Sequence, residues 1–242
     1  MTKTYTQRGF TLVELAIVLM IIGLLIGGIL RGQELMNNAR LQNVIKQVTS
    51  YTGAVTMFQD AYSSYPGDMP LALARIPGCI AANGCVNGNG NGIVGAVDSV
   101  WRGGQQDIPG ENAQFWKHMA MAHLITGVQP NATQMVWGES HPPSPISGGF
   151  TVATANGSGG IHNGGLVLRL HGGINTSVIE NEPSMSPKQA GYIDRKMDDG
   201  IPNRGDVQAT MYGNGATSQD CEITYNESRE DAVCVMSFVL NR

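Results

Sequence analysis

Apolar residues run almost unbroken from Phe10 to Leu30, within the stretch GFTLVELAIVLMIIGLLIGGIL that begins at Gly9, and Glu14 is the one acidic residue inside it. At 1.5 Å per residue this predicts a helix of roughly 30 Å, the thickness of a bilayer's hydrocarbon. From Arg31 the pattern turns amphipathic. Leu41, Val44, Val48, Tyr51, Val55, Phe58 and Tyr62 follow alternating spacings of three and four and form one apolar stripe, while Gln42, Asn43, Lys46, Gln47 and Asp60 lie off it. Pro66 and Gly67 stop the run. The pattern predicts one helix of about fifty residues: a lipid-compatible half over 10–30 and an amphipathic half over 31–65. The stripe fits a free coiled coil as well as packing on a head, and a head, residues 66–242, follows at once.

Within that head, turn residues dominate from Pro66 to Gly110, with Gly78, Gly84, Gly88, Gly90, Gly92 and Gly95 crowded together. The segment Glu111 to Thr126 predicts a helix with Phe115, Met119, Ala122 and Ile125 on one face, closed by Gly127. Phe150 to Ala155 and Leu166 to His171 predict strands, joined by a hairpin loop over Gly157 to Gly165. Ser186-Pro187-Lys188-Gln189 has capping-box spacing with proline at the first helical position, opening a short helix through Tyr192, Ile193 and Met197 that stops at Gly200. Val207 to Met211 and Val233 to Leu240 predict the last strands. The fold class is α+β: a long N-terminal helix packed on an antiparallel sheet head.

Composition alters this picture in three respects. The 32 glycines and a charged fraction of 14% point to a loop-rich body. Net charge is −4, and Lys3 and Arg8 are two of the 15 basic residues; without them 13 face 19 acids, a net charge of −6. An acidic body lacking a basic stripe with interleaved aromatics does not suit nucleic acid, and no such partner is expected. Lys3 and Arg8 precede the apolar run and Arg31 with Glu34 follow it, so the positive-inside rule places the N-terminus in the cytoplasm and the head outside. The four cysteines, Cys79, Cys85, Cys221 and Cys234, suit an oxidising compartment. They allow three pairings, of which the local one is the most economical. No C-x-x-C spacing points to zinc. The triplets at Asn131, Asn156, Asn175 and Asn226 would be glycosylation acceptors only in a eukaryotic secreted chain.

The acid in the apolar run decides between readings of the N-terminus. A carboxylate costs about 2.5 to 3.5 kcal/mol at mid-bilayer and by default marks a function. A secretory signal peptide explains the basic start but not a core this long carrying Glu14. A plain anchor explains the length and not the acid. Gly23 and Gly27, in G-x-x-x-G spacing beside Gly28, allow close approach of another helix. The octapeptide Arg8-Gly-Phe-Thr-Leu-Val-Glu-Leu15 resembles the N-terminus of type IV prepilins and of the related pseudopilins of type II secretion systems. That resemblance implies a leader over residues 1–9, cut after Gly9 by an inner-membrane prepilin peptidase. It implies methylation of the new amino terminus at Phe10 and retention of 10–30 as membrane anchor and filament core. The partners it implies are copies of the chain or other pilins, the peptidase, and the inner membrane with its assembly machinery. The head would then be periplasmic or on an extracellular filament. A buried carboxylate needs a cation, and in a staggered stack the Phe10 amine of an incoming subunit reaches Glu14 and sets the register, as a lone polar residue does in a coiled coil. Snorkelling at the interface is the alternative. Many pilins carry a proline within this helix; here none precedes Pro66, so a kink would come from Gly27-Gly28.

Two further stretches are candidates for calcium. Asn87, Asn89 and Asn91, with Gly92, Ile93 and Asp98, match the oxygen-ligand spacing of an EF-hand loop, although three ligands are neutral and the acid is the shorter Asp; a metal-free glycine-asparagine turn is the favoured reading. Tyr192 to Pro202 resembles the I-D-x-K-x-D-D-G stretch of pseudopilin heads, and Asp194, Asp198 and Asp199 there are either calcium ligands or ion-pair partners of Arg195 and Lys196. No cofactor is required, and calcium is possible. A disulfide-closed C-terminal loop is a recurring pilin feature, which Cys221 and Cys234 would supply. His118 and His123 are five apart and share no face, so they make no metal pair. The histidines (His118, His123, His141, His162, His171) fall in no nucleophile–base–orienter motif, and no phosphate-cradling loop follows a strand. The expected protein is therefore a structural filament subunit with a pilin-like fold and not an enzyme. It serves a type IV pilus or, as the Asp-Asp-Gly stretch suggests, a secretion pseudopilus. A membrane-anchored periplasmic binding or enzymatic head, and an adhesive or DNA-capturing minor pilin, are the alternatives.

Overall fold

The computed structural model describes residues 9–95, 110–132, 135–155, 164–173, 182–213 and 215–241. Its first element, α1 (Leu12–Tyr62), is the long helix the pattern predicts, two residues shorter at the start and three at the end. The early stop has a local cause: Ser63 turns into the left-handed region at φ 55° while its N–H still reaches back to the Gln59 carbonyl. The chain forms two compact units, Met1–Arg40 and Leu41–Arg242. In the first, α1 contains a window of mean hydropathy 2.7 with none of it buried, long and apolar enough to cross a membrane.

In the second unit the stripe of α1 does what its periodicity requires. Leu41, Val44, Val48, Tyr51, Val55 and Phe58 are all buried, and each side chain of that size stabilises the unit by about 1.5 to 3 kcal/mol. They pack against a four-stranded antiparallel sheet of β1 (Gly149–Thr154), β2 (Leu166–His171), β3 (Val207–Met211) and β4 (Cys234–Asn241), in the order β1-β2-β4-β3. The apolar face of the sheet carries Phe150, Val152, Leu168, Leu170, Met236 and Phe238, and the Tyr51 ring meets Phe150 edge-on at 5.5 Å. The opposite face carries a polar row across all four strands, Thr151, Arg169, Ser237 and Gln208, paired in register. β2 is buried at every position, so its two faces are both interior.

Among the described residues, four shorter α-helices join the unit: α2 (Ala72–Arg75), α3 (Glu111–Met121), α4 (Pro187–Met197) and α5 (Ser218–Cys221). α3 departs from expectation in two ways. It is buried throughout from Ala113 to Met121 and not along one face, and it ends at Met121, well before Gly127. A Schellman-type closure stops it: the His123 N–H bonds the Ala120 carbonyl, the Leu124 N–H bonds the Met119 carbonyl, and His123 takes the left-handed position at φ 58°. α4 starts as its sequence dictates. The Gln189 side chain accepts the Ser186 N–H at 3.0 Å and Ser186 Oγ accepts the Gln189 N–H at 3.5 Å, a capping box with Pro187 behind it. Disulfides join Cys79 to Cys85 and Cys221 to Cys234, with Cα separations of 5.4 and 5.8 Å; the second ties α5 to the central strand β4.

Candidate processing and assembly site

Gly9, Phe10 and Thr11 lie outside the helix, and Phe10 is exposed. Thr11 is the helix cap. Its N–H and its hydroxyl both donate to Glu14 Oε2, each at 2.9 Å, while the Glu14 N–H donates to Thr11 Oγ1 at 3.2 Å. This is a reciprocal capping box, and its T-x-x-E signature is visible in the sequence, where the apolar run drew attention away from it. Among the described residues, the side-chain partners of Glu14 lie inside its own subunit, and both donors reach the same carboxylate oxygen. The peptide between Gly9 and Phe10 is non-helical, so its backbone is not tied up in helical hydrogen bonds. Gly23, Gly27 and Gly28 have open space where a side chain would stand, which is what close approach of a second helix requires.

In the asparagine loop each of the three side-chain oxygens accepts a backbone N–H. Asn87 Oδ1 accepts the Leu73 N–H, Asn89 Oδ1 accepts the Asn91 N–H, and Asn91 Oδ1 accepts the Ile93 N–H. Two acids that sequence reasoning missed hold the loop. Asp68 takes the Asn91 and Gly92 N–H groups at 3.0 and 2.8 Å, and Glu111 takes those of Asn89 and Gly95. Gly88 has to be glycine here, since a Cβ would lie 2.3 Å from the Asp68 backbone. Burial pushes the Glu111 carboxyl above its usual range, with the like charge of Asp68 adding to the shift and the Asn89 and Gly95 N–H groups opposing it. Asp98 lies outside the described residues. No periodic or motif signal marks Asp68 or Glu111; only the fold brings them together.

Asp194, Asp198 and Asp199 do converge, with ligand oxygens within 4.8 Å of one another, close enough to share one hard cation. Asp194 is buried, accepting the Tyr225 hydroxyl at 2.7 Å and the Gly200 N–H at 3.2 Å. Burial raises its carboxyl above the ordinary range, and these two donors oppose the shift. Asp198 accepts the N–H groups of Asp206 and Val207, and Asp199 that of Ile201. The expected pairing with neighbouring cations is not what forms: Arg195 pairs with Glu227 at 2.8 Å, and the Lys196 ammonium sits over the Tyr192 ring.

Three histidines are interior. His118 bridges the Gly67 N–H and the Val86 carbonyl, His141 bonds Ser140 Oγ, and His171 bonds Thr151 Oγ1. Burial lowers their pKa values to about 4, 3 and 3, so each is neutral at physiological pH. His118 also lies beside Cys79 and Cys85, whose sulfurs are engaged in their disulfide. His123 is exposed in the turn after α3, and His162 lies outside the described residues. The Ser140–His141 contact has no carboxylate orienting the ring among the described hydrogen bonds, and Ser140 is committed to the Val136 backbone. Lys117, buried at the centre of α3, donates to the carbonyls of Asn83, Gly84 and Ala132, and burial lowers its pKa. These groups hold loops together.

Comparison with curated proteins and with solved structures returns no match. The N-terminal segment does match a family model: residues 5–30 carry the prokaryotic N-terminal methylation motif, the signature of type IV pilin and pseudopilin precursors.

Proposed function

We propose that this chain is a structural subunit of a type IV pilus-like or type II secretion pseudopilus filament. The observation that carries the reading is the coincidence of the methylation motif over 5–30 with an unburied, membrane-length apolar stretch in α1, which begins just past Phe10. A prepilin peptidase cuts between Gly9 and Phe10, Phe10 is methylated, and apolar burial between helices drives assembly in the inner membrane. The head stays on the periplasmic side and rides on the filament surface. Glu14 sets the stagger by taking the Phe10 amine of the next subunit on the oxygen that Thr11 leaves free. Nothing in this role needs a cofactor; calcium at Asp194, Asp198 and Asp199 would add stability to the head, which a rise in melting temperature on adding calcium chloride would reveal. The test is co-expression with a filament assembly machinery. The wild-type chain enters the sheared filament fraction; Glu14→Ala is still processed but stays in the membrane. Glu14→Ala filaments at wild-type yield would remove the acid from the mechanism, and a wild-type chain absent from filaments would remove the proposal.

A further inference from the structure

At the C-terminal end of α1 lies a cavity of about 380 Å³, lined by Gln59, Ser63, Ser64, Tyr65, Asp68 and the backbone of Gly90 and Gly92. Its volume falls in the range of small-ligand clefts. Its chemistry is set by a residue behind it. Asn241, at the end of β4, donates from one amide nitrogen to Gln59 Oε1 at 3.0 Å and to the Tyr65 hydroxyl oxygen at 3.3 Å. With those oxygens engaged as acceptors, the Gln59 NH₂ and the Tyr65 O–H remain to donate. The hydroxyls of Ser63 and Ser64 have no partner among the described residues. Asp68 supplies the acceptor: each of its oxygens takes one backbone N–H and keeps capacity for another donor.

The wall that presents these groups is strained. Ser63 holds φ 55°, a conformation that costs a non-glycine residue on the order of 1 kcal/mol or more and that concentrates at functional positions. That turn carries Ser63, Ser64 and Tyr65 round the end of α1 to face the loop locked by Asp68. Among the described residues no lysine, arginine or histidine lines the cavity, so an anion would meet the Asp68 carboxylate without a counter-charge. A simple cation would leave four donors idle. A neutral polyhydroxyl ring offers adjacent hydroxyls that both donate and accept, which matches a lining of donors with one carboxylate acceptor.

We propose that this cavity binds a neutral saccharide, with Gln59, Ser63, Ser64 and Tyr65 as donors and Asp68 as acceptor. The proposal does not depend on filament assembly, because none of these residues lies in the N-terminal motif. The test is saturation-transfer NMR on the full chain in sugar-free zwitterionic micelles, with glucose, galactose, N-acetylglucosamine and anionic sialic acid as probes. At least one neutral sugar shows transfer and sialic acid shows none. Ser64→Leu, which fills the cavity from its rim, and Gln59→Leu, which removes the amide, each weaken binding by about tenfold or more with the melting temperature retained. Absence of transfer from all three neutral sugars, transfer from sialic acid alone, or binding indifferent to both substitutions would overturn the assignment.

Discussion

Glu14 and Asp68 are both carboxylates that accept backbone N–H groups, yet they act at different stages. Glu14 caps its own helix from an exposed position and, in the proposed assembly, would offer its second oxygen to a neighbour, whereas Asp68 is buried and fastens the glycine-rich loop over 87–95. Replacing Asp68 by Asn removes charge-assisted bonds worth about 1.5 to 3 kcal/mol each, so Asp68→Asn lowers the urea midpoint of the head and exposes the Asn91 and Gly92 amides to hydrogen exchange. An unchanged midpoint would mean that the loop is held by other contacts. The buried histidines set the acid response. Their folded pKa values, about 4 for His118 and about 3 for His141 and His171, lie below the ordinary imidazole value near 6.5. The unfolded chain therefore takes up protons first as pH falls, and the stability present above pH 6.5 is lost down to about pH 4 and below. For His118 alone the loss is on the order of 3 kcal/mol. Glu111 and Asp194, whose carboxyls are raised, act in the opposite sense and soften the fall. Melting of the full chain at pH 7.5 and pH 4.5 checks this, with the lower temperature expected at pH 4.5.

Among the elements, α1 and α4 were legible because their signals are local. The three-and-four stripe of α1 and the S-P-x-Q start of α4 need no knowledge of the rest of the chain. The strands were legible from β-branched and apolar runs, although full burial of β2 depends on what covers each face. α3 was misjudged at its C-terminus because a Schellman closure can be made at histidine, and nothing in a one-dimensional pattern ranks His123 above Gly127 as the stop. That position yields a prediction. His123→Gly removes the left-handed strain and, net of the freer unfolded chain, stabilises the head by about 0.5 kcal/mol; a loss of stability in thermal melts would show that the imidazole itself has a packing role. The two disulfides differ in weight. Cys221–Cys234 closes the longer loop and anchors α5 to β4, so removing it by paired alanines costs about 2 to 4 kcal/mol, more than removing Cys79–Cys85, as paired thermal melts should show.

At the scale of the whole molecule, the N-terminal site was readable in the sequence as the octapeptide ending at Leu15, and the Thr11–Glu14 cap adds how the acid is held before assembly. The head's chemistry was not readable. Glu111 and Asn241 lie far in the chain from Gln59 and Asp68, and only the fold brings the four round one loop and one cavity. The asparagine spacing builds side-chain-to-backbone turns among the described residues. The central claim, that the chain is a processed filament subunit, rests on its first residues and is tested there. The measurement is the intact mass and N-terminal residue of the membrane-extracted protein, expressed with and without a prepilin peptidase. The account predicts a peptidase-dependent start at Phe10, heavier by about 14 Da for one methyl group. A start at Met1 in both cells, or a cut beyond Leu30 that frees the head, would contradict it.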